Sequence, residues 1–538
     1  VAKADPSLPI VIDPILQATY LGGSGYDNAY TLAIHPQTGE VYVAGYTKST
    51  DFPGIIDGAQ EECDNWIINL TCYDVFVARL NKDLTQILQS TYLGGGGNDK
   101  AEALAIHPKT GEVYVAGDTS SKNFPKTAGG AQAILGGRYY DHDAFVARLN
   151  KELTQILQST YLGGSSFDSA SALAIHPTTG EVYVAGVTSS ENFPKTIGGA
   201  QANKSGDADV FVARLSSDLT KILQSTYLGG NQWDEASSLA IHPHTGEIYV
   251  AGYTRSSNFP KTTGGAQTVH RGELENAFVA RLNQGLTRIL QSTYLGGSGN
   301  DEANALAIHP KTGEVYVVGD TSSKNFPKTA GSAQARFGGG DYDSFVARLN
   351  KELTKILQST YLGGSGDDGA NALVIHPKTG EVYVAGYTRS SNFPKTAGGA
   401  QANKSGGSNA FVARLNKELT KIIQSTYLGG SGNDNAHALA IHPQTGEIYV
   451  AGYTTSTNFP KTACGAQTNC NKCIASEYSG SGDAFVARLS ADLSAGNGSS
   501  SGGSGGGGTC GHPMSGSKSP KVSLPFVAAR RIRKRRNP

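Results

Sequence analysis

Hydrophobic and polar positions alternate along most of this chain in runs of seven or eight residues. Val41-Tyr-Val-Ala-Gly-Tyr-Thr47, Val75-Phe-Val-Ala-Arg-Leu80 and Ile87-Leu-Gln-Ser-Thr-Tyr-Leu93 are three of them. A period of two, with Val, Ile, Tyr and Phe at the apolar positions, predicts β-strands. Ile34-His35-Pro36 and Thr38-Gly39-Glu40 separate the first two runs of a set, and glycine there supplies a positive φ without steric cost.

The runs come in sets of four, and the sets repeat. Tyr-Leu-Gly-Gly begins at Tyr20, Tyr92, Tyr161, Tyr227, Tyr294, Tyr361 and Tyr427, with spacings of 72, 69, 66, 67, 67 and 66 residues. Repeated units of four antiparallel strands predict an all-β propeller of four-stranded blades. The ends predict how it closes. Residues 15–23 are a fourth-strand sequence with no strands before them, and Phe485–Leu489 is a third-strand sequence with no fourth strand after it. Pairing the two completes a seventh blade and removes the free edges of an open array. The expected organisation is an extension over 1–14, a seven-bladed propeller over 15–493, and a Gly/Ser-rich linker with a basic tail over 494–538.

Tyr-Leu-Gly-Gly, Ile-His-Pro, Thr-Gly-Glu-Val-Tyr-Val-Ala-Gly and Asn-Phe-Pro together resemble the beta-propeller repeat called SBBP. The resemblance covers residues 15 to about 493. It implies a fold and an extracellular location, and it brings no catalytic residues with it.

Composition adds location and charge. The chain has 45 basic and 45 acidic residues, but Lys518, Lys521, Arg530, Arg531, Arg533, Lys534, Arg535 and Arg536 all lie in the tail, leaving an acidic body. Without aromatic residues among them, these cations are not read as a nucleic-acid site. No apolar run is long enough to span a bilayer. The start at Val1 suggests a processed N terminus. Six cysteines, five of them in two loops, fit an oxidising compartment, so the protein is expected to be secreted.

Residues present in every blade are expected to serve the ring. His35, His107, His176, His242, His309, His376 and His442 share one position and are read as structural hydrogen-bonding groups. Asp27, Asp99, Asp168, Asp234, Asp301, Asp368 and Asp434 follow the double glycine by four residues. They are expected to accept backbone N–H bonds, with one calcium ion per blade as the alternative. Arg79 and its six counterparts are expected to bridge strands or blades. His142, His244, His270 and His437 are read as polar loop residues. No phosphate loop, zinc pattern or nucleophile elbow is present. The chain is expected to be no enzyme and to carry no cofactor or metal, and an active site in the channel would need a constellation confined to one or two blades.

Function is expected where the repeat breaks. The loops between second and third strands span 16 to 24 residues between Phe-Pro and Phe-Val-Ala-Arg, and are longest in the first and last blades. Those two hold Cys63, Cys72, Cys464, Cys470 and Cys473, and Cys464 replaces the glycine found at Gly129. Disulfides are expected, Cys63 with Cys72 for one, and a loop cysteine with Cys510 as a staple to the tail. The spacing leaves the connectivity open, and a zinc site at Cys470 and Cys473 is the other reading. Asn69, Asn203, Asn403 and Asn497 head glycosylation triplets. In the tail, residues 499–508 read as a flexible linker, and Phe526-Val527-Ala-Ala-Arg530 imitates the third strand, which suggests addition to a neighbour's sheet.

These breaks lead to two expectations. The first is a secreted structural subunit that polymerises head to tail with copies of itself through its ends and cysteines, forming a fibre or surface layer. The second is a propeller that binds carbohydrate or protein at a cell surface through the variable loops of one face, for which Trp66, Tyr139 and Tyr140 are the candidate aromatics.

Overall fold

The computed structural model describes residues 14–63, 73–137, 142–272, 274–473 and 481–494. All regular elements among them are strands, grouped in seven four-stranded antiparallel sheets. Blade 1 consists of Asp27–Ile34, Val41–Thr47, Asp74–Leu80 and Ile87–Leu93, in that order from the channel outward. Blades 2 to 6 repeat it. Blade 7 takes Asp434–Ile441, Ile448–Thr454 and Asp483–Leu489 from the C-terminal end and Ile15–Leu21 from the N-terminal end. The closing register runs from Ile15 opposite Leu489 to Leu21 opposite Ala484.

Each first strand is buried along nearly its whole length, because neighbouring blades cover it from both sides. The apolar cores therefore lie between blades. One joins Val210 and Leu228 of blade 3 to Val250 and Phe278 of blade 4, and the closing core joins Leu21, Tyr449 and Val486 to Val43 and Phe76. Tyrosine hydroxyls tie each blade to the next. Tyr42 donates to the Lys151 carbonyl at 2.6 Å, and Tyr449 donates to that of Lys82 at 2.6 Å across the closure.

A bulge recurs in every first strand, between Ala29 and Thr31 in blade 1. It brings the glycine of Val-Tyr-Val-Ala-Gly against a backbone carbonyl. A Cβ on Gly252 would fall 1.9 Å from the Glu235 oxygen. Gly252→Ala must therefore push two paired strands apart. We expect a loss of about 3 kcal/mol, the upper range for overpacking, read as a lower urea midpoint with an unchanged m-value.

The long loop is not free along its first half. In blade 2, the Lys126 carbonyl accepts from the Ser159 N–H at 2.9 Å and the Gln132 carbonyl from Tyr161 N–H at 3.0 Å. Equivalent bonds recur in all seven blades, ending with Ala18 to Lys461 and Tyr20 to Gln467. Lys126 and its counterparts take a positive φ near 60° to aim that carbonyl. The loop thus straps the outer edge of the fourth strand, the edge that would otherwise recruit another chain. This limits the tail reading. Phe526, Val527 and Arg530 lie outside the described residues, and the fourth-strand edges they would need are already bonded.

Candidate functional site

The residues repeated in every blade are explained by the frame. Asp27 is fully buried, accepts from Gly23 N–H at 2.9 Å and Ser49 Oγ at 2.8 Å, and also accepts from Thr47 Oγ1. This fixes the turn into the first strand, as expected from the sequence. Burial pushes its pKa up to about 6 in spite of these donors. His35 Nδ1 accepts from the N–H groups of Gln37 and Thr38, both at 3.3 Å. Its Nε2 lies against the next blade, where a Cβ on Gly111 would come within 2.8 Å. Burial lowers the His35 pKa, which suits a neutral acceptor. Arg79 pairs with Glu40 at 3.1 Å within its blade, whereas Arg488 reaches across the closure to Asp83 at 2.5 Å. No group of three or more His, Cys, Asp or Glu side chains able to hold a metal ion occurs among the described residues.

The two faces of the ring differ. The lower face carries the tight turns, and Ile-His-Pro-x-Thr-Gly-Glu is identical there in all seven blades. Thr38 in that turn is exposed and the same in all seven blades, whereas the exposed position before it varies, as Gln37, Lys109, Thr178 and His244 show. The upper face carries the loops into the first and third strands. Its repeat positions differ from blade to blade. The position of Tyr30 holds Glu102, Ser171, Ser237, Asn304, Asn371 and His437, and that of Tyr46 holds Asp118, Val187, Tyr253, Asp320, Tyr387 and Tyr453. The position of Tyr26 holds Asn98, Phe167, Trp233, Asn300, Asp367 and Asn433.

At the closure these positions gather aromatic rings. Tyr73 stacks on Tyr46 at 4.8 Å, Tyr46 lies 5.6 Å from Tyr26, and Tyr26 lies 6.2 Å from Tyr453 of blade 7. Beneath them, Tyr30 sits 5.8 Å from Tyr46 and 5.3 Å from His437, which itself stacks on Tyr453. Tyr26, Tyr73 and Tyr453 are half-buried, and Tyr30, Tyr46 and His437 are buried. Lys48 and Lys100 place their ammonium groups over Tyr73 and Tyr30, at 5.2 and 4.4 Å. Burial raises the phenol pKa values of Tyr26 and Tyr46, and lifts that of Tyr30 to about 12. These groups stay neutral and serve as surfaces and hydrogen-bonding sites.

His437 corrects the sequence reading. It belongs to a first strand, not a loop, and it is almost fully buried. Tyr30, Lys100, Glu102, Asp118 and His142 also form a titratable group confined to blades 1 and 2, which the sequence reading missed. The signal lay in the columns that vary among otherwise near-identical repeats. Several ionisable groups of the upper face lie in pairs. Lys100 meets Glu102 at 2.5 Å, His142 meets Asp118 at 3.0 Å, Arg255 meets Glu275 at 2.7 Å and Arg389 meets Asp367 at 3.1 Å.

Of the cysteines, Cys470 and Cys473 form a disulfide with one another, so their sulfurs do not make a zinc pair. Cys63 and Cys464 are also disulfide-bonded. Cys72 and Cys510 lie outside the described residues, as do Asn69, Asn497, Trp66, Tyr139 and Tyr140. Asn203 and Asn403 are exposed on matching loops of blades 3 and 6. His244 and His270 bond to the carbonyls of Pro310 and Thr254 at 3.1 and 3.2 Å.

Fold and site together define a seven-bladed propeller whose blades share their tight first-to-second-strand turn and differ most at the upper-face positions of Tyr26, Tyr30 and Tyr46. The model of the SBBP family, the Beta-propeller repeat, matches residues 18–53 and 425–460, in line with the seven-bladed propeller. The chain is 27% identical over 344 residues to the regulatory protein FlaEY of Caulobacter vibrioides, covering 62% of this chain and 34% of that protein. It thus spans about a third of that relative's length. Among solved structures, Sqt1 from Chaetomium thermophilum is similar with a TM-score of 0.41 and 10% identity, over 87% of this chain and 98% of that one. A protein of unknown function from Dyadobacter fermentans matches with a TM-score of 0.38 and 12% identity, over 90% of this chain and 100% of that one. At these scores the structural likenesses carry no argument.

Proposed function

We propose that the chain is a non-enzymatic binding propeller that works outside the cell and meets its partner, a glycan or protein, with the upper face. One observation carries the reading: the blades keep one first-to-second-strand turn, Ile-His-Pro-x-Thr-Gly-Glu, on the lower face while the positions of Tyr26, Tyr30 and Tyr46 diverge on the upper one. The pairing of Lys100 with Glu102, His142 with Asp118, Arg255 with Glu275 and Arg389 with Asp367 supports binding over catalysis, because none of these groups is poised as a lone acid or base. Disulfides at Cys63, Cys464 and Cys470–Cys473 support an oxidising location. Head-to-tail assembly into a fibre rests on the terminal segments, which lie outside the described residues.

The test compares the two faces on the whole chain. Labelled protein is titrated onto intact cell surfaces and purified envelope polymers. Tyr26→Ala, Tyr73→Ala, Trp233→Ala, Tyr342→Ala and Tyr387→Ala alter the upper face together; Lys109→Ala, Lys311→Ala and Lys378→Ala alter the lower. We expect saturable binding that the first set weakens by about tenfold or more, the usual effect of losing aromatic anchors, and the second leaves unchanged. The reverse pattern would place the partner on the lower face.

A further inference from the structure

The row Tyr453, Tyr26, Tyr46 and Tyr73 has no counterpart among the described residues of the other blades. Blade 1 alone has tyrosine at the four positions of Tyr26, Tyr30, Tyr46 and Tyr73; in blade 2 the same positions hold Asn98, Glu102, Asp118 and His142. The fold does not require these rings. Strand pairing is the same in both blades, with Asp27 opposite Thr47 and Asp99 opposite Thr119, and with the same bulge. Something other than the frame accounts for four phenols in one blade.

We infer that this row is an oligosaccharide-binding site, which deepens the binding role proposed above and rests on it. The half-buried rings of Tyr453, Tyr26 and Tyr73, the last two joined through buried Tyr46, run from blade 7 over blade 1 to the seam with blade 2, where the Tyr73 carbonyl accepts from Asp99 N–H at 2.8 Å. Neighbouring centroids are 4.8 to 6.2 Å apart. Apolar faces of linked pyranose rings suit such a row, because each ring offers C–H groups to the negative face of a phenol. Buried Tyr30 and His437 pack against Tyr46 and Tyr453 of the row, so little order has to be gained on binding. The polar groups suit hydroxyls. Asn28 Nδ2 donates to the Tyr26 hydroxyl at 3.3 Å, and Lys48 sits partly exposed at the end of the row. Two lysines already lie over ring faces, so a cationic peptide would meet its own charge there. A sugar would not.

The experiment is a glycan array probed with the whole chain, followed by titration calorimetry with the best glycan. Tyr26→Ala and Tyr73→Ala remove half-exposed rings, and Tyr26→Phe with Tyr73→Phe keeps them. An unchanged melting temperature confirms that each variant is folded. We expect each alanine to weaken glycan binding by about tenfold, and the phenylalanine pair to retain most of it. Glycan binding that survives both alanines but is lost in a variant carrying Trp233→Ala, Tyr342→Ala and Tyr387→Ala would overturn the site while leaving the upper face as the binding face. Absence of binding to any glycan, with saturable binding to a surface protein, would overturn the ligand class and leave the proposed function standing.

Discussion

Removing residues 1–23 is expected to abolish the monomeric propeller. The lost strand, Ile15–Leu21, is the outer strand of blade 7, and it buries Ile15, Ala18, Tyr20 and Leu21 almost completely. Full burial of a large apolar side chain contributes about 1.5–3 kcal/mol, so Ile15, Tyr20 and Leu21 alone are worth several kcal/mol. Tyr20 adds two hydrogen bonds, donating to the Ser456 carbonyl at 2.8 Å and accepting from Phe459 N–H at 2.9 Å. Ala18 N–H and Tyr20 N–H also anchor the blade 7 strap, at 3.0 and 3.1 Å. The combined loss is on the order of 10 kcal/mol, comparable to the whole stability of a typical domain. It also bares the edge at Asp483–Leu489, where Phe485 and Val486 would invite pairing between molecules. We expect aggregation or an expanded species by size-exclusion chromatography with light scattering, and recovery of the monomer when a peptide of residues 14–23 is added during refolding. A folded monomer of unchanged melting temperature would show that the ring does not depend on this strand.

The frame was legible because it repeats. Tyr20 and Phe485 could be placed in one blade from their repeat positions alone, although 465 residues separate them. The proposed binding face was hidden for three physical reasons. The bulge between Ala436 and Ala438 breaks the alternation around His437, so a channel-strand residue reads as a polar break. Ring closure sets Tyr453 beside Tyr26, and no local pattern announces that contact. The loop that looked most variable begins as a strap, and the Lys126 backbone conformation that makes it one is invisible in residue type. The individual columns at Tyr26, Tyr30 and Tyr46 were on view throughout, but repetition draws attention to what does not change.

Stability is expected to peak in mildly acidic solution and to fall toward pH 8. At each seam, a carboxylate that opens a first strand faces the residue that opens the third strand of the preceding blade. A Cβ on Gly229 would sit 2.6 Å from Asp209 Cγ and 2.7 Å from Asp234 Oδ2. Burial, then the neighbouring carboxylate, lifts Asp168 and Asp234 to about 7. Burial and other nearby acids raise Asp343 and Asp483 to about 7, and Asp27, Asp99 and Asp368 to about 6. An aspartate raised above its unfolded value near 3.8 binds more protons folded than unfolded. Its contribution is therefore complete below pH 4 and is lost as pH climbs through 6 to 7. The seven repeated histidines act in the opposite sense. Burial lowers their pKa values below 6.5, so their contribution is lost as pH falls below that value. The larger aspartate shifts dominate, so the optimum should lie on the acid side of pH 6.

Two blades relieve this repulsion by themselves, with Asn276 facing Asp301 and Asn409 facing Asp434. The loop before Asn409, residues 401–406, is identical to residues 201–206 before Asp209. Asp209→Asn thus copies an arrangement already present in blade 6. The Asp209 side chain accepts from Ser205 N–H at 2.9 Å, Gly206 N–H at 3.1 Å and Gln201 Nε2 at 3.1 Å, and faces the Lys204 ammonium. Asparagine gives up part of that capacity and removes the like charge beside Asp234, whose remaining donors are Thr254, Ser256 and Gly230 N–H. We expect a net gain of about 1 kcal/mol at pH 8, little change at pH 5, and an Asp234 pKa lowered from about 7 toward the value near 6 of Asp434. Urea melts at the two pH values, with carboxyl NMR titration of Asp234, read all three. A melting temperature that climbs from pH 5 to pH 8, or an Asp209→Asn variant weakened equally at both, would mean that the seam carboxylates are not what sets the pH response of the ring.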